Sequence, residues 1–349
     1  MRKSAVIMKR LTVVLLLFAC CFTFAGFKGE TEKAKVKVLI IPKFEIGNFS
    51  GDFIGEGQLF YEAYTPGAEE IRLPNSSQGT RFFYNKDNGV GLLVTDMGKT
   101  AACLSLTALL NCGDYDCSEA MIVSVGCAGG SKGTCTLGDV VLNTAVCDYD
   151  LGHRADSTEL SDPISEVTWF HKDSYDAFAF HTFNAELTDR VYEMIRDCPL
   201  QTTEVAKQVL EHNFPYEAWA NRAPKVLKGT VVSGDCYWKG EYGHRNAELI
   251  AETYQCPDPY AVTEMEEIAI ADTTANYGLL DRVISLRGVV NLDVFLSGET
   301  PERLWLDNPD YVSQVMDDNS ETLDIFEPAM HNLFDVGKIV IDAVLEGRL

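Results

Sequence analysis

From Val36 onward, short unbroken apolar runs alternate with stretches whose apolar residues recur at helical spacing. "VKVLIIP", "GVGLLVTDM", "AMIVSVGCAGG", "GDVVLNTAVCD", "KVLKGTVVSGD" and "DRVISLRGVVNL" read as buried strands, the third running into a glycine turn. "TAACLSLTALLN", "NAELTDRVYEMIRD", "HRNAELIAETY", "AIADTTANYG" and "AMHNLFDVGKIVIDAVL" read as helices. Asn184 is placed as an N-cap and Gly278 as a helix stop. Such alternation predicts an α/β protein with helices on the faces of its sheet. The 349 residues, 46% of them hydrophobic, suffice for one large domain. No repeat or linker interrupts residues 36–349, and the aromatic, helical stretch from about 151 to 224 reads as an inserted cap.

The N-terminus is of another kind. Arg2, Lys3, Lys9 and Arg10 precede "LTVVLLLFACCFTFA", which is short for a membrane span and suits a signal peptide, residues 1–25. Cleavage after Ala25 and a lipobox that puts a lipid on Cys20 are both open. Residues 26–35 read as a polar tether. The chain is therefore expected to be exported, to the periplasm or the outside, with membrane contact only through such a lipid. No later apolar run approaches the roughly 20 residues of a spanning helix.

The formal net charge is −23, from 52 acids against 29 bases. Such a surface repels phosphate backbones and argues against nucleic-acid binding. Nine cysteines follow Ala25, an odd number, and none forms C-x-x-C. Cys112 and Cys117 are the closest-spaced candidates for a bridge; buried free thiols are an equal reading. Gly98-Lys99-Thr100 is not a P-loop, since Leu93 stands where its first glycine belongs. The six histidines lack metal-ligand spacing, and no metal is implied.

One stretch poses a sharper question. "YAVTEMEEIAIAD" opens a helix with Glu264, Met265, Glu266 and Glu267. An acidic first turn is common and usually solvated. Glu266, however, falls between Ala269 and Ile270 on the helical wheel, toward the interior. Three other pieces end strands in the same manner. Glu45 follows the first strand, Ser124 to Gly130 form "SVGCAGG", and Asp235, Tyr237 and Trp238 follow Ser233. Asn291 closes the last core strand. Ligands of α/β sheets bind outside the carboxyl ends of strands, so these pieces would gather. A carboxylate at a helix N-terminus can accept bonds from both hydroxyls of a ribose, and an aromatic ring can cover a base.

In this order the pieces resemble the nucleoside phosphorylase and nucleosidase superfamily. At motif level they are similar to the methylthioadenosine/adenosylhomocysteine nucleosidases: Phe44-Glu45, Asp96 to Ala102, Gly126 to Gly130, Ser233 to Tyr237, Met265 to Ala269, and Val290-Asn291. The long middle segment, the "YWKG" and the Asn in place of Asp look more like the purine nucleoside permease family. The resemblance covers about residues 36–305. It implies a single three-layer domain with a central mixed, partly barrel-like β-sheet flanked by helices. It also implies a purine nucleoside or base as ligand, a homo-oligomer and cleavage of the N-glycosidic bond. Glu266 would hold the ribose hydroxyls, with Met265 on the sugar. Tyr237 would stack the base, with Trp238 and Asp235 beside it. Cys127, Ala128 and Gly129 would line the base pocket. Glu45 would activate water and Asn291 would bond the base, though an amide cannot donate a proton as an acid.

Glu45 as a base favours hydrolysis slightly. Gly98 and Lys99, with Arg81 and Arg287, keep a phosphate site open, so phosphate stays a candidate co-substrate; no cofactor is implied. A second reading is an exported, non-catalytic nucleoside-binding protein that aids uptake. A third is an interaction protein on a retired enzyme fold.

Overall fold

The structure is a computed structural model that describes residues 32–159, 168–300 and 323–349. The expected signal peptide, Cys20 and residues 26–31 of the tether lie outside these residues. In chain order the elements are β1 (Ala34–Lys35), β2 (Val38–Ile41), α1 (Gln58–Tyr64), β3 (Glu70–Ile71), β4 (Arg81–Asn85) and β5 (Val90–Val94). Next come α2 (Lys99–Leu110), β6 (Tyr115–Asp116), β7 (Met121–Gly130), β8 (Val140–Asp148), β9 (His153–Arg154) and β10 (Trp169–Phe170). There follow α3 (Asp176–Ala179), β11 (Phe180–Thr182), α4 (Ala185–Ile195), α5 (Glu204–Asn213), β12 (Val226–Ser233) and α6 (Glu241–Thr253). The chain continues with β13 (Tyr260–Glu264), α7 (Glu267–Asn276), β14 (Val283–Leu292) and α8 (Leu323–Leu345).

Five strands close on themselves. β7 pairs with β14, β14 with β8, β8 with β12, β12 with β13, and β13 returns to β7. From the first half of β7 the sheet continues outward through β2, β5, β4 and β3. The result is the mixed, partly barrel-like sheet that the resemblance implies. The apolar runs are continuous because both faces are covered. In β2, Leu39 and Ile41 enter the core with Ala102, Leu106 and Leu109 of α2 and Ile268 of α7. Val38 and Ile40 point the other way, into the core with Leu333, Val336 and Val340 of α8. Period-two alternation thus feeds two helical layers.

Three expectations need correction. β7 does not turn at its glycines but runs on through Gly130. A Cβ on Gly129 would lie 3.1 Å from Asn291 Nδ2, and one on Gly130 would lie 2.7 Å from Val289 Cγ1. The glycines let β14 and β13 pack against β7. The last two tether residues, Ala34 and Lys35, are strand β1 and pair with β6. The stretch 151–224 is a cap only in part. β9 and β10 form a separate two-stranded piece, whereas β11 extends the main sheet on β8. α4, capped as expected by Asn184, packs Leu187, Val191 and Ile195 into the main core.

Candidate active site

β7 changes neighbours along one edge. β2 pairs with it as far as Ser124, and β13 joins only at Gly129. Buried backbone groups between these points need other partners. Lys43 Nζ donates to Val125 O at 2.9 Å, Ile41 O at 3.0 Å and Ser124 Oγ at 2.6 Å. Glu56 Oε1 accepts the Cys127 N–H and Oε2 the Lys43 N–H, both at 2.7 Å. Gly126 is obligatory here: a Cβ would strike the Arg287 guanidinium and come within 2.9 Å of Glu56 Oε1.

The acidic stretch lies beside this gap, and all of its carboxylates are buried. Glu264 ends β13, Glu266 is the N-cap of α7, and Glu267 begins the helix; they are 8%, 5% and 0% exposed. The solvated-turn reading therefore fails. Glu264 Oε2 accepts the N–H groups of Glu266 and Glu267 at 2.9 and 3.0 Å. Arg287 Nη2 reaches Glu264 at 2.7 Å and Glu267 at 2.6 Å. Ser124 Oγ donates to Glu267 at 2.6 Å, and Lys43 Nζ stands 3.8 Å from it. Burial would raise Glu267, but Arg287 and Lys43 outweigh it and hold its carboxyl below the usual range. Burial, then Arg287, pulls Lys43 down to about 8.

Glu266 differs from its neighbours. Burial first, and then the Glu264 charge, push it up to about 8. Its Oε1 accepts the Gly98 N–H at 2.8 Å, so the carboxyl sits between the N-termini of α7 and α2. Gly98 has φ +91, a conformation that favours glycine. Asp235 Oδ1 accepts the Lys99 N–H at 2.7 Å. Lys99 Nζ lies 3.1 Å from Asp148 and 2.9 Å from Asp150. The Gly98–Lys99 turn, expected as a candidate anion site, thus has both amides and its ammonium directed at carboxylates.

The other expected residues fall around this centre. Asn291 is opposite Gly129 in the β7–β14 ladder, across from Thr263 of β13, and its Nδ2 donates to Leu292 O. Ala128 and Gly129 are buried. Burial and Glu56 push the Cys127 thiol well up, which keeps it protonated and unreactive. Met265 is half-buried. Tyr237 is 54% exposed on the loop after β12. Trp238 turns inward and stacks on Tyr149, centroids 5.1 Å apart and planes within 14°. Glu45 is a loop clamp. Its oxygens accept N–H groups of Ile46, Gly55, Gly57 and Gln58 at 2.6–2.9 Å, holding the start of α1. Sequence reasoning missed Glu56, whose neighbourhood "FIGEGQ" carries no signal beyond two glycines. It also missed Lys43 and the joint role of Glu264, Glu267 and Arg287, which the pairing of β13 and β14 with β7 brings together.

The closed five-strand sheet flanked by helices is the architecture of the nucleoside phosphorylase-like proteins. A methylthioadenosine/adenosylhomocysteine nucleosidase from Neisseria meningitidis, solved with methylthio-immucillin-A, superposes with a TM-score of 0.52 at 17% identity; the match covers 88% of this chain and 99% of that one. A futalosine hydrolase from Helicobacter pylori superposes with a TM-score of 0.51 at 15% identity, over 88% and 97% of the two chains. The chain itself belongs to the purine nucleoside permease (NUP) family, whose sequence model matches residues 35–348. A probable purine nucleoside permease of Schizosaccharomyces pombe is 24% identical over 335 residues, 89% of this chain and 93% of that protein. Among the described residues no helix is long and apolar enough to cross a membrane.

Proposed function

We propose that this chain binds purine nucleosides and cleaves their N-glycosidic bond with water. The observation that carries the reading is Glu266, a carboxyl buried at the meeting of two helix N-termini, with Asn291, Gly129 and the Asp235–Tyr237 loop on neighbouring strands. A carboxylate offers about four lone-pair sites, so the Gly98 bond leaves room for a vicinal diol. Asn291 is assigned to the purine edge and Tyr237 to its face. The structural neighbours support a purine ligand: one was solved with methylthio-immucillin-A and another with 8-aminoadenine.

Hydrolysis is favoured because the cations that a phosphate would need are already engaged. Lys99 faces Asp148 and Asp150, Arg287 faces Glu264 and Glu267, and Arg81 pairs with Glu70 at 2.9 Å. An acid-lined mouth repels a phosphate dianion but assists an oxocarbenium-like sugar. We assign water activation to Glu56 rather than Glu45. Glu56 sits in the gap of β7, bonded to the Cys127 and Lys43 N–H groups beside the Glu266 cluster, whereas Glu45 holds the loop at the start of α1. Purine nucleosides offered to the purified protein, with binding and free-base release followed together, test this against the binding-protein reading. Release of the base is expected; tight binding without release would favour an uptake role.

A further inference from the structure

We propose that Cys147 and Cys256 are a redox pair, which oxidation joins into a disulfide tying the end of β8 to the turn after α6. Their sulfurs stand 3.3 Å apart, and both thiols are free. Two rigid elements aim them at each other. Cys147 is fully buried in β8, paired with Val232 of β12 on one side and Phe180 of β11 on the other. Cys256 is set by the end of α6. Gln255 adopts φ +51 and donates to Glu252 O at 3.0 Å, while the Cys256 N–H reaches Ala251 O at 3.1 Å. That pair of bonds is a Schellman cap, which fixes the residue two places past a helix end. By contrast, the sulfur of Cys112, with Cys117 the closest-spaced candidate in sequence, lies 3.9 Å from Asp114 Oδ2, and both of those thiols are free.

Access is one-sided. Cys256 lines a surface cleft of about 380 Å³, together with Glu252, Pro257, Pro259 and Tyr260. Cys147 lies behind it. The contact with Cys147 holds the Cys256 thiol below its ordinary value, whereas burial pushes Cys147 well above. Cys256 is therefore the entering nucleophile. Its thiolate attacks one sulfur of a small-molecule disulfide such as oxidised glutathione, and the other sulfur leaves with the bonding pair. Cys147 gives its proton to that leaving thiolate and attacks the Cys256 sulfur, which expels the second thiol. Two protein thiols are oxidised and one external disulfide is reduced to two thiols. The new bond closes a loop between positions 109 residues apart. That loop contains Asp150, Asp235 and Tyr237, and its near anchor adjoins Asp148. Closing it restricts the unfolded chain more than the folded one.

The test uses the intact protein, incubated with oxidised glutathione or with dithiothreitol, then alkylated, digested and mapped. The expected product is one linked peptide containing Cys147 and Cys256, two hydrogens lighter, with a higher thermal midpoint than the reduced protein. Cys256→Ser should abolish both effects. Cys147→Ser should stop at a mixed disulfide on Cys256. Exposed Cys103 and Cys236 are expected to carry glutathione without forming this link. Alkylation of both Cys147 and Cys256 after oxidation would overturn the proposal. So would linkage of either to another cysteine, or a midpoint rise that survives in Cys256→Ser.

Discussion

Arg287 and Glu267 form an ion pair sealed from solvent: Nη2 lies 2.6 Å from Oε2, and neither side chain is exposed. The pair joins β14 to the first residue of α7, and so fixes the mouth of the helix whose N-cap is Glu266. Removing one member strands a buried charge, which costs about 3–5 kcal/mol. Arg287→Met and Glu267→Gln should each lower the unfolding free energy by that amount, with a matching fall in the denaturation midpoint, and the double variant by less than their sum. An unchanged midpoint in either single variant would show that the pair is not sealed.

Glu266→Ala is expected to weaken ribosides about 10- to 100-fold, the worth of bonds to a charged acceptor. Free bases should lose less than about twofold, because only the sugar reaches this carboxylate. Equal losses in a calorimetric titration would contradict the diol assignment.

The same group sets a pH dependence. Glu266 titrates near 8 in the folded chain against about 4.5 for an ordinary glutamate. Between those values the folded state holds a proton that the unfolded state has released. Stability from this group is thus present at low pH and declines as pH rises through about 8. A diol prefers the ionised form, so riboside affinity should rise over the same window and binding at neutral pH should release a proton. Arg287, Glu264 and Glu56 set the field that Glu266 feels. Glu266→Gln should flatten both trends; a riboside affinity independent of pH in the parent protein would count against the account.

Glu56 and Glu45 are separable by kinetics. Loss of a general base costs about 10²- to 10⁴-fold in turnover. Glu56→Gln is expected to fall in that range. Glu45→Gln turns one of the two oxygens that together accept four backbone N–H groups into a donor, so two of those bonds are lost. It should lower the thermal midpoint with turnover held within about tenfold. The reverse pattern would return the base to Glu45.

Much of the fold was legible because the central strands are covered on both faces. β2, β5, β7, β8, β12 and β14 all read as apolar runs, and α2, α4, α6, α7 and α8 as helical periods. α1 and β11 were not read, since each is short and half-exposed with no cap or turn signature of its own; β4 was not read although Asn88-Gly89 marks the turn into β5. The closure of the ring was invisible for another reason. It depends on pairings such as Asn291 with Gly129, far apart in sequence. Of the site, Glu266 was legible from its helical position, and the Gly126–Gly130 run from its composition. Glu56 was not, because its role comes from a gap in strand pairing rather than from any residue near it. The same gap explains why an acidic helix start that looks solvated in sequence is buried.

Hydrolytic cleavage and phosphorolysis leave different sugars, so the identity of the product separates them. Inosine and adenosine are incubated with the protein in the presence and absence of inorganic phosphate, and the sugar product is identified. Free ribose and free base are expected, at rates that phosphate does not change. Ribose 1-phosphate formed only when phosphate is present would contradict it, and so would bound nucleoside recovered intact under both conditions.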